Sequence, residues 1–537
     1  MRFLFLLSLL LFFGASVSAQ ENYWIFFRDK DPNSLPSLSP RALENRIHQG
    51  IKVNFDDLPV RSFYQNQLTQ AGIKPVFASR WLNAIYATLT PAQHEYVRSL
   101  PFVVSVSPAS SLRTNLTHSP LPQTANQKQY TSQLEMLGLD RLHRNGYTGK
   151  GVIIAVFDNG FSRVDSLEGF KAIFREKRLL ATRDFVDGDD DVFEPCSQCG
   201  HGTQVLSVLA TNLPGQLTGA APEASYILIR TENSYEETKA EEALFVEAAE
   251  WADSLGAQIF NLSYGYRYFD PGEGDYSVAD FDGNTAIITL AAEKAASRGI
   301  HIFASVGNYG TFGLQAPADG ESVLAIGGVD AEGIIYASSG RGPTANGRIK
   351  PDLVAMGEGV VTLTSSGTLR NSNGTSFSAP LVAGLAATLL QANPHFTNTE
   401  LRQALLQSAD RYTSPNNTFG YGIPYGPEVL QKRGIPLTDS ATFSPDPFDE
   451  KNILLFPNPS TRFFTLMLDP LQTGFEAEIR INDATGRTLF HDEWIFQPGQ
   501  WQYAFELNFQ PGIYNLIVRE KQNRARKFAG KLVLLPD

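Results

Sequence analysis

Through the middle of the chain, short and nearly continuous apolar runs alternate with longer stretches of helical periodicity. The runs are 151–157 (GVIIAVF), 226–229, 258–262, 300–304 and 323–326, and the helical stretches include 241–252, 286–297, 378–391 and 399–408. Successive side chains of a strand point to opposite faces of its sheet, so a strand apolar at every position has both faces covered. Such strands, separated by helices, predict an α/β fold built on a parallel sheet.

That pattern fills only part of the 537 residues, and a chain of this length exceeds what one hydrophobic core organises. Residues 20–118 alternate strand-like and helical stretches, with strands near 23–27, 81–89 and 102–106 and helices near 41–49 and 91–100. That order predicts a small α+β module. A polar, Ser/Thr/Asn/Pro-rich linker is expected at 119–130, the α/β unit at 131–434, and a second linker at 435–450, which holds three prolines and four acidic residues. Short strands at 463–468, 477–481, 503–507, 514–518 and 531–535, separated by turn residues, predict a β-sandwich over 451–537.

Met1-Arg2, the apolar run 3–13 and the small residues 14–19 read as an export signal. The run is shorter than the ~20 residues of a membrane span. A net charge of −12 with no Lys/Arg block argues against nucleic acid as a partner. Two cysteines cannot form a disulfide framework.

Three places in the α/β segment carry groups suited to nucleophilic chemistry. Asp158 ends the run 151–157 and precedes Asn159-Gly160; in open α/β sheets, sites form beyond the carboxyl ends of strands. His201 lies in Gly200-His201-Gly202-Thr203 at a helix start. Ser376 lies in the first turn of an apolar helix, within Gly374-Thr375-Ser376-Phe377-Ser378-Ala379-Pro380. There the helix dipole favours developing negative charge. Pro380 places the helix start near Ser376. Singly, each has an ordinary structural explanation: a turn, a structural histidine, an N-cap. Together they supply a nucleophile, a base and the group that orients the base. The chain order Asp-His-Ser is that of subtilisin, whereas α/β-hydrolases run Ser-Asp-His.

These three motifs resemble the signatures of the subtilases, the subtilisin-like serine peptidases. Linking stretches agree, among them 147–151, Ala316-Pro317-Ala318-Asp319, Arg341-Gly342-Pro343 and Lys350-Pro351-Asp352. The resemblance implies a subtilisin-like catalytic domain in which Asp158 orients the imidazole, His201 is general base and Ser376 attacks the peptide carbonyl. It also implies Asn308 as oxyanion donor. Ser263, Tyr264 and Gly265 are then expected in the wall that binds extended protein or peptide substrates. Asn159, Gly340 and Asn346 depart from the usual family pattern without removing a group the chemistry needs.

Cys196 and Cys199 are expected to form a local disulfide in the loop before His201. No metal ligand set is evident and no cofactor is required. The acidic loop holding Asp184, Asp187, Asp189, Asp190, Asp191 and Glu194 is the place where a structural calcium is considered, since many subtilases bind one. Residues 20–118, with Ser79-Arg80-Trp81-Leu82-Asn83-Ala84, resemble the inhibitory prodomains of Bacteroidetes-type secreted subtilases. That implies self-cleavage within 107–135. Residues 451–537 resemble the C-terminal sorting domain of type IX (Por) secretion substrates, which implies an outer-membrane machinery as partner and a secreted or cell-surface product. The rival expectations are a catalytically silent peptide-binding adhesin and an esterase.

Overall fold

The computed structural model describes residues 21–109, 123–124 and 127–437 except 197 and 214. Beyond these it describes 453–456, 463–468, 475–483, 485–496, 502–507, 509–521 and 527–534. The expected export signal, most of both expected linkers and much of the expected self-cleavage stretch lie outside the described residues. The chain divides into two compact units, Met1–Pro436 and Leu437–Asp537.

The first unit opens with a four-stranded antiparallel sheet of β1 (Glu21–Phe27), β2 (Pro75–Ser79), β3 (Ala84–Leu89) and β4 (Val103–Pro108), in the order β2-β3-β1-β4. Helices α1 (Pro40–His48), α2 (Ser62–Gln70) and α3 (Pro91–Ser99) accompany it. The two-residue period of the strands sorts their side chains between two cores. Ile25, Phe27, Ile85, Ala87 and Leu89 pack with Tyr64, Leu68 and Val97 in the module's own interior. Trp24, Phe77, Trp81, Ala84 and Tyr86 face the other way and join the core of the large α/β body. A single compact unit therefore spans what the sequence divides into module and α/β segment.

The α/β body is a seven-stranded sheet, parallel at every pairing. Its strands are β5 (Ile153–Asp158), β6 (Leu179–Asp184), β7 (Ser225–Arg230), β8 (Ile259–Leu262), β9 (His301–Ser305), β10 (Leu324–Val329) and β11 (Leu353–Met356). Their order across the sheet is β11-β10-β9-β8-β5-β7-β6. The five expected runs are all strands. β6 and β11 are additional: β6 is a half-exposed edge strand without a solid apolar run, and β11 is only four residues long. Helices α4 (His201–Ala210) and α7 (Thr375–Ala392) pack together, with α7 lying across β8 to β11. Helices α5 (Lys239–Leu255) and α6 (Ile287–Ala296) pair with each other and receive the antiparallel module. Buried nearly all round, α7 is apolar on every face.

Around residues 119–130 the structure differs from a plain linker. Gln123–Thr124 adds a short strand to Leu369–Ser372, and a helix already begins at Gln127. The buried Gln133 side chain anchors that helix: its Oε1 accepts from Val361 N at 2.9 Å.

In the second unit, the strands Ile453–Phe456, Phe463–Leu468 and Gln502–Glu506 form one antiparallel sheet. Phe475–Asn482, Thr488–Phe496, Gly512–Glu520 and Lys527–Leu534 form another. Leu466 of the first packs in one core with Ile479, Leu516 and Leu532 of the second, which is a sandwich arrangement.

Candidate active site

Strand β5 is where the sheet's connections change direction, with β6 and β7 to one side and β8 to the other. Ligands of open α/β sheets sit beyond the carboxyl ends of the strands at such a switch point. Asp158 is the last residue of β5 and is buried. The first residue of α4, His201, comes against it: Nδ1 lies 2.8 Å from Asp158 Oδ1 and 3.1 Å from Oδ2. Gly202 makes this approach possible. A Cβ there would overlap the Gly160 carbonyl oxygen and come within 2.9 Å of Asp158 Cβ.

Burial disfavours the charged imidazole, but the charge and hydrogen bond of Asp158 outweigh it. His201 therefore titrates above its ordinary range, with Arg370 pulling the other way. With Nδ1 engaged by the carboxylate, Nε2 is left for a second partner.

Ser376 is the second residue of α7, one position after Thr375, and Phe377 brings its ring to 5.8 Å from the His201 ring. Ser376 Oγ takes no partner among the described residues, so the His201–Ser376 hydrogen bond is open here. Catalytic hydrogen bonds are often long in substrate-free enzymes. The helix begins one residue earlier than Pro380 implies, with Pro380 in its interior. Proline has no N–H to give the carbonyl four residues back. That carbonyl belongs to Ser376, and it accepts instead from Ser263 Oγ at 2.8 Å.

Asn308 follows β9 and is exposed. Its Oδ1 accepts from Thr375 N at 2.9 Å, which turns Nδ2 outward as a donor without a partner among the described residues. A Cβ placed on Gly374 would lie 3.6 Å from Ser376 Oγ and 3.7 Å from Asn308 Nδ2. The hydroxyl and the amide thus border the same small space, and glycine at 374 keeps it open. Asp158, His201, Ser376 and Asn308 are brought together by two strand ends and two helix starts.

The expected wall residues divide. Ser263 is buried and props the Ser376 carbonyl, while Asn261 Nδ2 donates to its hydroxyl at 2.9 Å. Tyr264 packs partly against the core and shares a hydrogen bond with Thr231 Oγ1 at 2.9 Å. Gly265 lies against the Ala316 carbonyl, which a Cβ would overlap. Behind this wall Tyr266 bonds Glu232, whose carboxyl is pushed well above the usual range by burial and by Glu241 and Glu237.

Gln315 is absent from the sequence expectations. Its amide spans the gap between Gly265 and Gly307, and Nε2 donates to Ser305 Oγ at 3.1 Å. No motif marks it; only folding brings the two glycines to face each other.

Cys196 and Cys199 form a disulfide. In the acidic loop five of the six carboxylates are engaged: Asp184 and Asp187 bind Arg230, Asp190 binds Arg183, and Asp189 and Asp191 accept turn N–H groups. Among the described residues no three His, Cys, Asp or Glu side chains gather as a metal site. His301 is buried in β9 and its titration is pushed down to about 4 by burial.

Residues 149–422 match the Subtilase family, and residues 22–129 match the Peptidase S8 propeptide domain of Bacteroidota. Serine protease AprX of Bacillus subtilis is 29% identical over 315 residues, covering 52% of this chain and 66% of that protein. Subtilisin E of Bacillus subtilis is 30% identical over 287 residues, covering 52% and 65%. The chain thus spans just under two thirds of the length of these relatives. The epidermin leader peptide processing serine protease of Staphylococcus aureus superposes with a TM-score of 0.55 at 14% identity, over 77% of this chain and 99% of that one. Its likeness shows a shared fold. With more than half its residues inside the family match, the chain belongs to the subtilase family.

Proposed function

We propose that this protein is an exported serine endopeptidase, made with an inhibitory prodomain that it removes itself. The observation that carries the reading is the Asp158–His201 pair beside the first turn of α7, where the Ser376 hydroxyl and the outward Asn308 amide border one small space. Ser376 Oγ attacks the peptide carbonyl carbon as His201 Nε2 takes its proton. Asp158 holds Nδ1–H and stabilises the imidazolium. Asn308 Nδ2 donates to the oxyanion, with the N-terminal end of α7 adding its positive dipole. His201 then returns the proton to the leaving amine, and water, deprotonated by the same base, releases the acyl group from Ser376. No step is routed through a metal.

Residues 20–118 act as prodomain in this reading. The propeptide match and the docking of β1 to β4 on α5 and α6 support it. Export rests on residues 1–19, and sorting through the type IX outer-membrane machinery rests on the motifs of 451–537.

The test is labelling of purified processed protein with a serine-directed fluorophosphonate, followed by peptide mapping and a casein assay. Label on Ser376 with casein cleavage is expected. A folded, processed protein that neither labels nor cleaves defeats the proposal and favours a silent peptide-binding role. Ser376→Ala, purified without other proteases, is expected to keep its prodomain covalently attached.

A further inference from the structure

For Asp158 to meet His201, two loops must be held against each other. One follows β5 and carries residues 159–163. The other, residues 192–200, delivers His201 to the start of α4 and contains the Cys196–Cys199 disulfide. The two are laced together. Phe161 N donates to Val192 O at 2.7 Å and Arg163 N to Phe193 O at 3.0 Å. Within the disulfide turn, Asn159 Nδ2 donates to Gln198 O at 3.0 Å and Ser162 N to Cys199 O at 3.4 Å. A Cβ on Gly160 would lie 3.1 Å from Cys199 Cβ, so the disulfide packs directly on the backbone beside Asp158. Asn159, a departure from the family pattern, is the side chain that makes the first of the two turn contacts. The cross-link therefore touches the loop of the carboxylate on one side and runs into the imidazole on the other.

We propose that the Cys196–Cys199 disulfide is a positioning element of the active site, fixing how His201 meets Asp158, and that its reduction lowers turnover. This rests on the catalytic reading of Asp158, His201 and Ser376. The disulfide closes a very short loop, which by the loop-closure argument contributes little to global stability. Its effect is local: once open, Cys196 and residues 198–200 regain backbone freedom, and the carbonyls of Gln198 and Cys199 no longer hold the loop of Asp158. Cys196 is half-buried and within reach of a small dithiol; Cys199 is buried. A thiolate of dithiothreitol attacks Cys196 Sγ and Cys199 leaves as thiolate. The second dithiothreitol thiol then displaces Cys196, so that two electrons pass to the cysteine pair and the reagent ends as its cyclic disulfide.

The chain has only these two cysteines, so any effect of the reagent on it is assignable. The experiment compares the processed enzyme before and after dithiothreitol, with free thiols counted, on a peptide amide substrate. Reduction is expected to lower kcat about 10- to 100-fold, the cost of a misplacement near 1 Å, with KM little changed. The acidic limb of kcat/KM is expected to move to lower pH, because relaxing the grip of Asp158 lets His201 titrate nearer its ordinary range, with Arg370 still opposing its charge. Reoxidation restores both. Cys196→Ser/Cys199→Ser should behave as the reduced enzyme, and Asn159→Ala, with the disulfide intact, should shift kcat the same way by less.

Two titrated thiols with unchanged kcat and unchanged acidic limb overturn the proposal. So does a loss of activity that tracks loss of the cooperative melting transition, which would make the bond a general staple. An oxidised enzyme that fails to take fluorophosphonate overturns the catalytic reading itself.

Discussion

At the scale of single residues, the main chain of the proposed nucleophile, Ser376, is held in an unusual way. Pro380 removes the helical donor that would serve the Ser376 carbonyl, and Ser263 Oγ supplies it from a different strand end. Ser263→Ala is therefore expected to leave a buried carbonyl unsatisfied, at a cost of about 1–3 kcal/mol. It should lower both the melting temperature and kcat; an unchanged kcat would mean that Ser376 is held by the rest of its helix. His201 must be neutral to accept a proton, and Asp158 raises its titration. Activity should fall as pH drops through a value above the ordinary ~6.5 of histidine. A profile flat between pH 5 and 8 would exclude His201 as base. Asp158, His201, Ser376 and Asn308 were legible because each sits in a short run whose residue types are dictated by chemistry. Ser263 was legible as to place but not as to direction, since nothing in Asn-Leu-Ser-Tyr-Gly says which side chain turns inward. Thr375, though inside the serine motif, gave no sign of its bond to Asn308, and Gln315 stands in no motif.

At the scale of elements, the site is made where α4 and α7 start against strand ends. The docking of α4 on β5 depends on the missing side chain at Gly202. Gly202→Ala must push the helix start away from Gly160 and Asp158. The expected result is loss of fluorophosphonate labelling with a lowered melting temperature, and a variant that labels at the normal rate would show that the helix absorbs the extra carbon. Gly340 has a similar steric origin, since a Cβ there would come within 2.7 Å of Val306 O and 2.9 Å of Gly313 O. The five runs that proved to be strands were readable because central parallel strands are apolar on both faces. The edge strand β6 was not, because one side of it faces solvent and Leu179–Asp184 carries a correspondingly mixed sequence. In the second unit, Thr488–Phe496 escaped for the same reason: its described side chains are half-buried or exposed.

At the scale of the whole molecule, the sequence shows a basic first segment, +5 over residues 1–130, before an acidic α/β segment, −14 over 131–434. The interface is more specific than that opposition. Glu250 of α5 accepts from Ser79 Oγ at 2.6 Å, Arg80 N at 3.0 Å and Trp81 N at 3.0 Å. Arg46 bridges Asp57 and Asp253, while Lys294 and Arg298 bind Asp56, so ion pairs cross in both directions. Most of these groups are buried, and buried pairs are screened little. Salt should therefore slow association of the two pieces and leave dissociation nearly unchanged. Glu250→Ala strips an acceptor from three donors and is expected to weaken the hold by about 2–5 kcal/mol. After self-cleavage, the wild-type pieces should co-elute on a sizing column and the variant pieces should separate; co-elution of the variant would show that the aromatic contacts alone suffice.

Trp24, Phe77, Trp81 and Tyr86 occupy the same interior as the strands and helices of the α/β body. Hydrolysing a bond within residues 107–135 removes none of that packing. In the proposed self-processing, maturation therefore has two clocks, one chemical and one physical. The second runs on how long a tightly seated fragment takes to leave, or on a further cut within it, so a population of fully cleaved molecules can still be an inactive one.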